Sequence, residues 1–361
     1  MKAYISIKNK RAASITAALL ILLFLSCSDF QKYLDKSGIE SSCKEIMRDY
    51  QKENPEVLSL FLKNFSLAKY TEPFDTGEPE VRSIGEWKLD IPEVPGLIQE
   101  KLFFNTPLSA LTHRDDKLVL YIYRKAEIKG GRLLLFVPGM GVSNFALLFI
   151  KHFFKEIISR GYILAVYVPP YHLDRIPPGK NQGEGFFTHD SVRNIKMIAG
   201  CTSEVRSAVK YFKLQGVSDI SAWAGSMGGS FLLLSAEFET YSHITTMIPV
   251  LDWNTLLLDS PEVCELKKRL MADGYSEDKL RYAYSIVSPM EHRVITPPDK
   301  ILILFAKYDQ LTSLALLEKY RETHNNPMVK IYNRSHATIL TDFAVYDDYA
   351  TQLDMWAKNK N

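Results

Sequence analysis

The sequence predicts an α/β protein whose central sheet is mostly parallel. Two continuously apolar runs, 132–137 and 162–168, are typical of strands that are buried on both faces. The residues between them, 144–159, have the apolar spacing of an amphipathic helix. Because a strand, a crossover helix and a second strand normally form one right-handed unit, the two strands are expected to lie parallel in one sheet.

The rest of the chain extends this pattern in both directions. Residues 29–70 have helical apolar spacing interrupted by Pro55, which predicts two helices after a short tether. The proline-rich residues 71–98 predict an irregular approach to the core. Residues 254–298 contain short helical segments between turns, as expected for a cap that is inserted into the domain and covers an active site. The other predicted strands are 99–105, 117–125, 220–224, 243–251, 300–306 and 329–332, and the other predicted helices are 190–214, 313–323 and 338–358.

Length and charge limit the classes of protein. A chain of 361 residues with 46% apolar content can bury one large core. The regular succession of strands favours one domain with insertions over 99–361, preceded by a tether and helical extension over 27–98. Lys plus Arg (44) nearly balance Asp plus Glu (42), so the composition gives no indication of a nucleic-acid partner.

The N-terminus has the character of a targeting segment. Basic residues precede an apolar run at 15–25, which is too short for a comfortable membrane span and suits the core of a signal peptide. The run ends in Phe24-Leu25-Ser26-Cys27-Ser28, which resembles a bacterial lipoprotein signal. That resemblance implies cleavage of residues 1–26, a lipid on Cys27, and attachment to a membrane surface of the bacterial cell envelope. Ordinary secretion and an uncleaved anchor are the alternatives.

Three cysteines remain if Cys27 carries a lipid. No pair among Cys43, Cys201 and Cys264 has the spacing of zinc ligands or of a redox motif, so all three are interpreted as structural. An odd number permits one disulfide at most. Neither a metal site nor a cofactor is predicted.

The stretch 219–231 carries the strongest chemical signal. The short apolar run 220–224 is followed by a turn of small residues that contains Ser226, and a helical pattern of apolar residues begins directly after this turn. Ala224 and Gly228, two residues to either side, lack bulk, as the crowded strand-to-helix turn of a nucleophile elbow requires. The new helix favours negative charge beside the serine oxygen, which makes the backbone N–H of Met227 a natural oxyanion donor. The alternative is that this Gly- and Ser-rich turn only starts a helix and has no catalytic role.

A serine hydroxyl needs a base, and the base needs an orienting acid. In the elbow architecture these follow the serine in the order acid, then histidine, each just past the end of a later strand. His336 follows the strand predicted at 329–332 and fits the base. Asp309 follows the strand predicted at 300–306 and is the preferred acid, while Asp252, after the preceding strand, is the alternative.

The loop after the first buried strand, Pro138-Gly139-Met140-Gly141, is free to approach a substrate, and the N–H of Met140 is the expected second oxyanion donor. Two weaker candidates for substrate binding lie elsewhere. His172 follows the strand predicted at 162–168, and Trp253 begins the cap region. A solvated loop and simple packing are the alternatives for these two residues.

With these residues in order, 99–358 resembles the α/β-hydrolase superfamily. The Pro170-Tyr171 pair, the turn that starts at Ser226 and the run from Ile248 to Trp253 are similar to its abhydrolase-domain-containing type 18 branch. The resemblance implies an α/β-hydrolase fold and a serine hydrolase that cleaves carboxylic esters, as an esterase, lipase or acyl-lipid hydrolase. A lipid-tethered enzyme would meet small or lipid esters at a membrane. A prolyl-oligopeptidase-like peptidase and a non-catalytic envelope lipoprotein are the alternatives.

Overall fold

The core of the fold is one large sheet. The computed structural model describes residues 28–48, 50–52, 54–85, 88, 94, 96–125, 128–141, 144–259 and 266–358. Within them, nine strands pair in the order β1-β2-β3-β5-β4-β6-β7-β8-β9. Their bounds are β1 Glu80–Ser83, β2 Ile98–Asn105, β3 Lys117–Arg124, β4 Arg132–Val137, β5 Tyr162–Val168, β6 Asp219–Gly225, β7 Ile244–Met247, β8 Ile301–Ala306 and β9 Met328–Tyr332.

Strand direction divides the sheet into two parts. The pairs β1–β2, β2–β3 and β3–β5 are antiparallel. All pairs from β5 through β4 and β6 to β9 are parallel. The predicted mostly parallel sheet is therefore confirmed, and with helices on both faces it is an α/β-hydrolase fold.

Ten α-helices flank the sheet or extend from it in the described residues. They are α1 Ser28–Arg48, α2 Pro55–Asn64, α3 Leu67–Tyr70, α4 Asn144–Ser159, α5 Ser191–Leu214, α6 Ser226–Ser235, α7 Leu266–Ala272, α8 Glu277–Ser285, α9 Leu314–Thr323 and α10 Phe343–Lys358. Several begin at a side-chain cap, which satisfies an N–H group that the first turn leaves unpaired. Asp190 caps α5 and Ser313 caps α9 in this way.

The sheet separates two apolar layers, which explains the continuous apolar runs in the sequence. Along β4, Leu133 and Leu135 contribute to the layer that contains α5 and α6. Their neighbours Leu134 and Phe136 contribute to the opposite layer with α4 and α10. Because side chains alternate between the two faces of a strand, a strand covered on both sides needs apolar residues at every position.

The main departures from the predicted elements lie at the N-terminal side. Residues 71–98 were expected to be irregular, yet they contain the exposed edge strand β1. Helix α1 begins at Ser28, the first of the described residues, so any tether before the helix lies outside them. Residues 1–27, including Cys27, lie outside those residues, as does Cys264 in the cap.

Two predicted elements are shorter than expected. The strand predicted at 243–251 ends at Met247, because Ile248 has a φ of 46° and turns the chain out of the sheet. The N–H of Val250 then donates to the carbonyl oxygen of Ser226 at 3.1 Å. The helix predicted at 338–358 is divided into a 3-10 turn, Ile339–Thr341, and α10.

A buried ionic cluster fixes the segment after β5. The guanidinium of Arg175 donates to Asp116 Oδ1 and Oδ2, both at 2.8 Å, and to Glu204 Oε2 at 2.7 Å. All three side chains are almost completely buried. Since an uncompensated buried charge is costly, this mutual pairing is what allows the segment to carry charge inside the protein.

Candidate active site

The nucleophile elbow forms where the sequence predicts it, between β6 and α6. Ser226 has a φ of 48°, an uncommon backbone conformation for a residue with a side chain. A Cβ atom on Gly228 would lie 2.2 Å from the carbonyl oxygen of Val137, and one on Gly139 would lie 2.8 Å from Ser226 Cβ. The glycines therefore allow the loop after β4 to pack directly against the elbow.

Ser226, His336 and Asp309 form a continuous hydrogen-bonded chain. Ser226 Oγ lies 2.8 Å from His336 Nε2, and His336 Nδ1 lies 2.7 Å from Asp309 Oδ2. An ionised carboxylate only accepts hydrogen bonds, so Nδ1 carries the proton and Nε2 is free to accept the serine proton. This is the tautomer that a general base needs.

The Asp309 carboxylate is fixed by its own loop. Oδ1 accepts from the backbone N–H groups of Leu311 at 2.8 Å and Thr312 at 2.9 Å. Oδ2 accepts from the hydroxyl of Thr312 at 2.9 Å as well as from His336. Because the acid is buried and saturated with donors, it holds the imidazole in one orientation.

The alternative acid, Asp252, lies in a different environment. Its Oδ1 accepts from the backbone N–H of Asn254 at 3.1 Å and from the hydroxyl of Ser288 at 3.1 Å. Its Oδ2 accepts from the hydroxyl of Thr255 at 3.0 Å. Asp252 thus stabilises the segment in which the chain passes from β7 into the predicted cap. Asp309 is the acid that contacts His336.

The charge state of His336 is set by burial and by two carboxylates. Burial alone lowers the pKa of an imidazole, but Asp309 and, from α1, Asp35 outweigh it, so the pKa of His336 is raised above its usual value. The nearby Arg334 is paired with Asp342 at 3.1 Å. The two anions therefore stabilise the imidazolium that forms when the histidine takes a proton.

His172 supports the loop after β4, residues 138–141, which corrects the prediction that it binds substrate. Its side chain is 1% exposed and lies behind that loop. Nδ1 donates to the carbonyl oxygen of Pro170 at 2.8 Å, and Nε2 accepts from the backbone N–H of Gly141 at 3.1 Å. Burial lowers the pKa of His172 to about 4, so the ring is neutral and keeps its acceptor nitrogen.

The predicted oxyanion donors lie beside the nucleophile. Met140 and Met227 both line the cavity into which Ser226 opens. The Gly141 N–H is engaged by His172, which holds the loop near Ser226. Met227 is the second residue of α6, where backbone N–H groups of the first turn have no partner within the helix.

The triad opens into an apolar cavity of about 290 Å³. Trp253, a predicted substrate-binding residue, lines it, but its indole N–H is already donated to Ser230 Oγ at 2.9 Å. Trp253 therefore offers the cavity an apolar surface. Besides Met140 and Met227, the other apolar side chains of the lining come from α1, the cap and nearby loops, and they are Leu34, Ile39, Ile46, Phe187, Val250, Leu256, Leu257, Leu311 and Ala337.

The N-terminal helix contributes to the site, and sequence reasoning did not identify this. Asp35 on α1 is buried, and its carboxylate accepts from the backbone N–H groups of His336 and Ala337, both at 2.9 Å. One helical turn earlier, Gln31 Oε1 accepts from the hydroxyl of Thr338 at 2.8 Å. The only signal in the sequence was the four-residue spacing of two polar residues, which exposed helices share.

The cysteines, metal-ligating side chains and helices of the described residues bear on three other classes of site, namely redox sites, metal sites and membrane spans. Cys43 is in a disulfide, and Cys201 is free and buried, which agrees with a structural interpretation. No group of three or more metal-ligating side chains occurs in this part of the chain. Among the described helices, none is both long and apolar enough to cross a bilayer.

Comparison with known proteins gives similarity of fold at low sequence identity. No protein-family model and no curated protein matches the sequence. Similar solved structures include a Thermogutta terrifontis esterase (18% identity, 75% of this chain and 97% of that chain, TM-score 0.46) and an Agrobacterium tumefaciens S-formylglutathione hydrolase (12% identity, 79% and 99%, TM-score 0.48). They also include a prolyl endopeptidase (14% identity, 74% and 40%, TM-score 0.47).

The chain spans about 40% of the length of that prolyl endopeptidase and 38% of a Pyrococcus horikoshii acylaminoacyl peptidase.

Proposed function

We propose that the protein is a serine hydrolase that cleaves carboxylic esters with an apolar acyl group. The observation that carries the proposal is the hydrogen-bonded chain from Ser226 through His336 to Asp309, which ends in an apolar cavity. Proximity of the three groups supplies the nucleophile, the base and the orienting acid that acyl transfer requires.

The reaction then proceeds in two halves. Ser226 Oγ attacks the carbonyl carbon while His336 Nε2 takes the hydroxyl proton, and the backbone N–H groups of Met140 and Met227 bind the oxyanion. The C–O bond to the alcohol breaks as His336 returns the proton to the leaving oxygen, which gives an acyl-enzyme on Ser226. A water that loses its proton to His336 attacks the acyl carbon. The bond between that carbon and Ser226 Oγ then breaks as His336 returns the proton to Oγ, which releases the acid and restores Ser226.

The lining of the cavity favours an ester over a peptide with a charged terminus. Among the described residues that line it, the ionisable side chains besides the disulfide cysteine are Asp35 and His336. Asp35 is occupied by three backbone N–H groups and His336 belongs to the triad. Because the described lining offers no uncommitted charge to a peptide terminus, an apolar acyl chain is the better match.

Gly38 provides a specific test of the acyl site. It lies within α1 and lines the cavity, and a Cβ atom there would meet nothing within 4 Å. Glycine in a helix interior costs about 1 kcal/mol relative to good helix formers. Replacing it by leucine is therefore expected to stabilise α1 while the new side chain occupies space that the substrate uses.

The test compares p-nitrophenyl esters from acetate to palmitate, together with a peptide amide, on wild type, Gly38→Leu and Ser37→Leu. Ser37 is exposed on the same helix and is absent from the cavity lining, so it controls for the added side chain. We expect Gly38→Leu to raise KM several-fold for the longer esters and to leave the acetate ester unchanged. Faster cleavage of the peptide amide than of any ester would instead favour a peptidase, and inactivity on all substrates would favour a scaffold.

We also propose that a lipid on Cys27 attaches the protein to a membrane surface of the bacterial cell envelope, where acyl lipids are accessible. The support is the basic and apolar segment before Cys27, which lies outside the described residues. Metabolic labelling with a fatty-acid analogue is expected to mark wild type and not Cys27→Ala. Equal labelling of both would contradict this. Membership of the type 18 branch stays a prediction.

A further inference from the structure

A single carboxylate on α1 contacts both loops that carry the histidine and the acid. Asp35 Oδ2 accepts from the backbone N–H of His336 at 2.9 Å and from that of Gln310 at 3.2 Å, and Oδ1 accepts from that of Ala337 at 2.9 Å. Gln310 directly follows Asp309. The loops after β8 and β9 are therefore joined through a residue some 300 positions earlier in the chain.

This arrangement is specific to the site and is not a general helix contact. Asp35 is 3% exposed and stands near Asp309, and this burial raises the pKa of Asp35, although His336 and the backbone N–H groups of Ala337 and His336 act to lower it. Burying a carboxylate is unfavourable unless donors surround it, and backbone N–H groups that bind a charged acceptor form strong hydrogen bonds. The three donors here are loop amides, which have no place in a helix or sheet ladder.

Neighbouring contacts from the same helix extend the anchor. Gln31 Oε1 accepts from the hydroxyl of Thr338, which in turn accepts from the N–H of Ser335 at 2.9 Å. Gln31 Nε2 also donates to the carbonyl oxygen of Asn333 at 3.5 Å, so Gln31 contacts residues on both sides of His336. Loops without secondary structure are normally the more mobile parts of a fold, so such an anchor restricts the position of the imidazole.

We propose that Asp35 is a positioning residue for catalysis, which holds the backbone of His336 in register with the Asp309 loop. The inference rests on the proposed serine hydrolase function. It makes α1 part of the machinery that supports the triad, in addition to being one wall of the acyl cavity.

Electrostatics supports the geometry and supplies a readout that a purely structural contact would not move. His336 is faced by Asp309 from the loop after β8 and by Asp35 from α1, and both anions raise the pKa of His336. The cation nearest in sequence, Arg334, is paired with Asp342. Removing the charge of Asp35 should therefore make His336 easier to deprotonate.

The experiment compares Asp35→Asn and Asp35→Glu with Glu40→Gln, which neutralises an exposed carboxylate on the same helix. For Asp35→Asn we expect kcat to fall about 10- to 100-fold, the scale of an ångström-size displacement of a catalytic group, with KM changed less than about twofold. The acidic limb of kcat/KM should move to lower pH. Asp35→Glu retains the charge but displaces the oxygens, so kcat should fall while the limb stays in place. Glu40→Gln should match wild type.

An NMR titration of the His336 imidazole reads the same change without turnover, and Asp35→Glu keeps the test open if Asp35→Asn does not fold. A variant that melts earlier but keeps wild-type kcat and an unmoved acidic limb in its folded fraction would overturn the proposal. If wild type itself neither hydrolyses esters nor reacts with a fluorophosphonate, the proposed function fails, and this inference fails with it. Active wild type with unchanged Asp35 variants refutes the positioning role alone.

Discussion

Replacement of Gly228 by alanine should damage the elbow in a way that can be worked out from contacts. The added Cβ would lie 2.2 Å from the carbonyl oxygen of Val137 and 2.4 Å from that of Pro138. Favourable contacts between such atoms lie near about 3.5 Å, so the clash amounts to about 1 Å. The obstructing atoms are backbone at the end of β4, which pairs with β5 and β6 on either side and cannot rotate away.

The expected magnitude follows from this clash. Overpacking typically costs about 1 to 3 kcal/mol, and an immobile backbone places Gly228→Ala near the upper value. For a domain of this size, about 2 to 4 °C of Tm accompany each kcal/mol, so Tm should fall by about 6 to 12 °C. A displacement of Ser226 by about 1 Å would lower kcat about 100-fold.

Gly225, immediately before the nucleophile, supplies the matched control. It has ordinary extended dihedral angles, φ −118° and ψ 143°, and a Cβ there would approach other atoms only to 3.9 Å. Gly225→Ala should therefore leave Tm equal to wild type or slightly higher, because alanine restricts the unfolded chain. Thermal unfolding by circular dichroism and ester hydrolysis measure both effects. Equal behaviour of the two variants, or a Tm for Gly228→Ala within about 2 °C of wild type, would refute the reasoning.

Three further predictions concern the triad and its supports. Asp309→Asn should lower kcat by about 10⁴-fold, while Asp252→Asn should keep kcat within a few-fold of wild type. If steady-state assays gave the larger loss for Asp252→Asn, Asp252 would be the triad acid in place of Asp309. Catalysis needs neutral His336, and Asp309 and Asp35 raise the pKa of that imidazole. The acidic limb of kcat/KM should therefore have its midpoint above about pH 6.5. A midpoint below this value would contradict the charge assignment. The pKa of His172 is about 4 in the folded protein, below its value of about 6.5 in the unfolded chain. As the pH is lowered, the unfolded state therefore binds a proton at this histidine before the folded state does. The free energy of unfolding should fall by about 3 kcal/mol between pH of about 6.5 and about 4. Urea denaturation should show this decrease in wild type and lose it in His172→Gln.

The parts of the site that the sequence predicts are those with a local pattern. Residues 219–231 alone predict a strand, a turn of small residues and the start of a helix around Ser226. The positive φ of Ser226 agrees with the crowded turn. Asp309 and His336 could be chosen because each follows a recognisable strand. Asp252 follows a strand as well and remained the alternative, and the three-dimensional contacts show that Asp309 is the residue bonded to His336.

The parts that escaped prediction depend on contacts without a local pattern. The segment after β5 has two residues with positive φ, Tyr171 and Leu173, which turn His172 inward behind the loop after β4. A single histidine on a polar loop gives no sign of this. Asp35 meets its partners about 300 residues away, so its role follows from how α1 docks and not from its neighbours in the chain.

The most direct test of the central claim is covalent labelling of Ser226 with a fluorophosphonate. A serine activated by His336 should react within minutes and gain the mass of one phosphonyl group, which peptide mapping should place on Ser226. Ser226→Ala and His336→Ala, shown to be folded by circular dichroism, should remain unmodified. Absence of labelling in wild type, or a label on another residue that persists in Ser226→Ala, would contradict the assignment of this hydrogen-bonded chain as a catalytic triad.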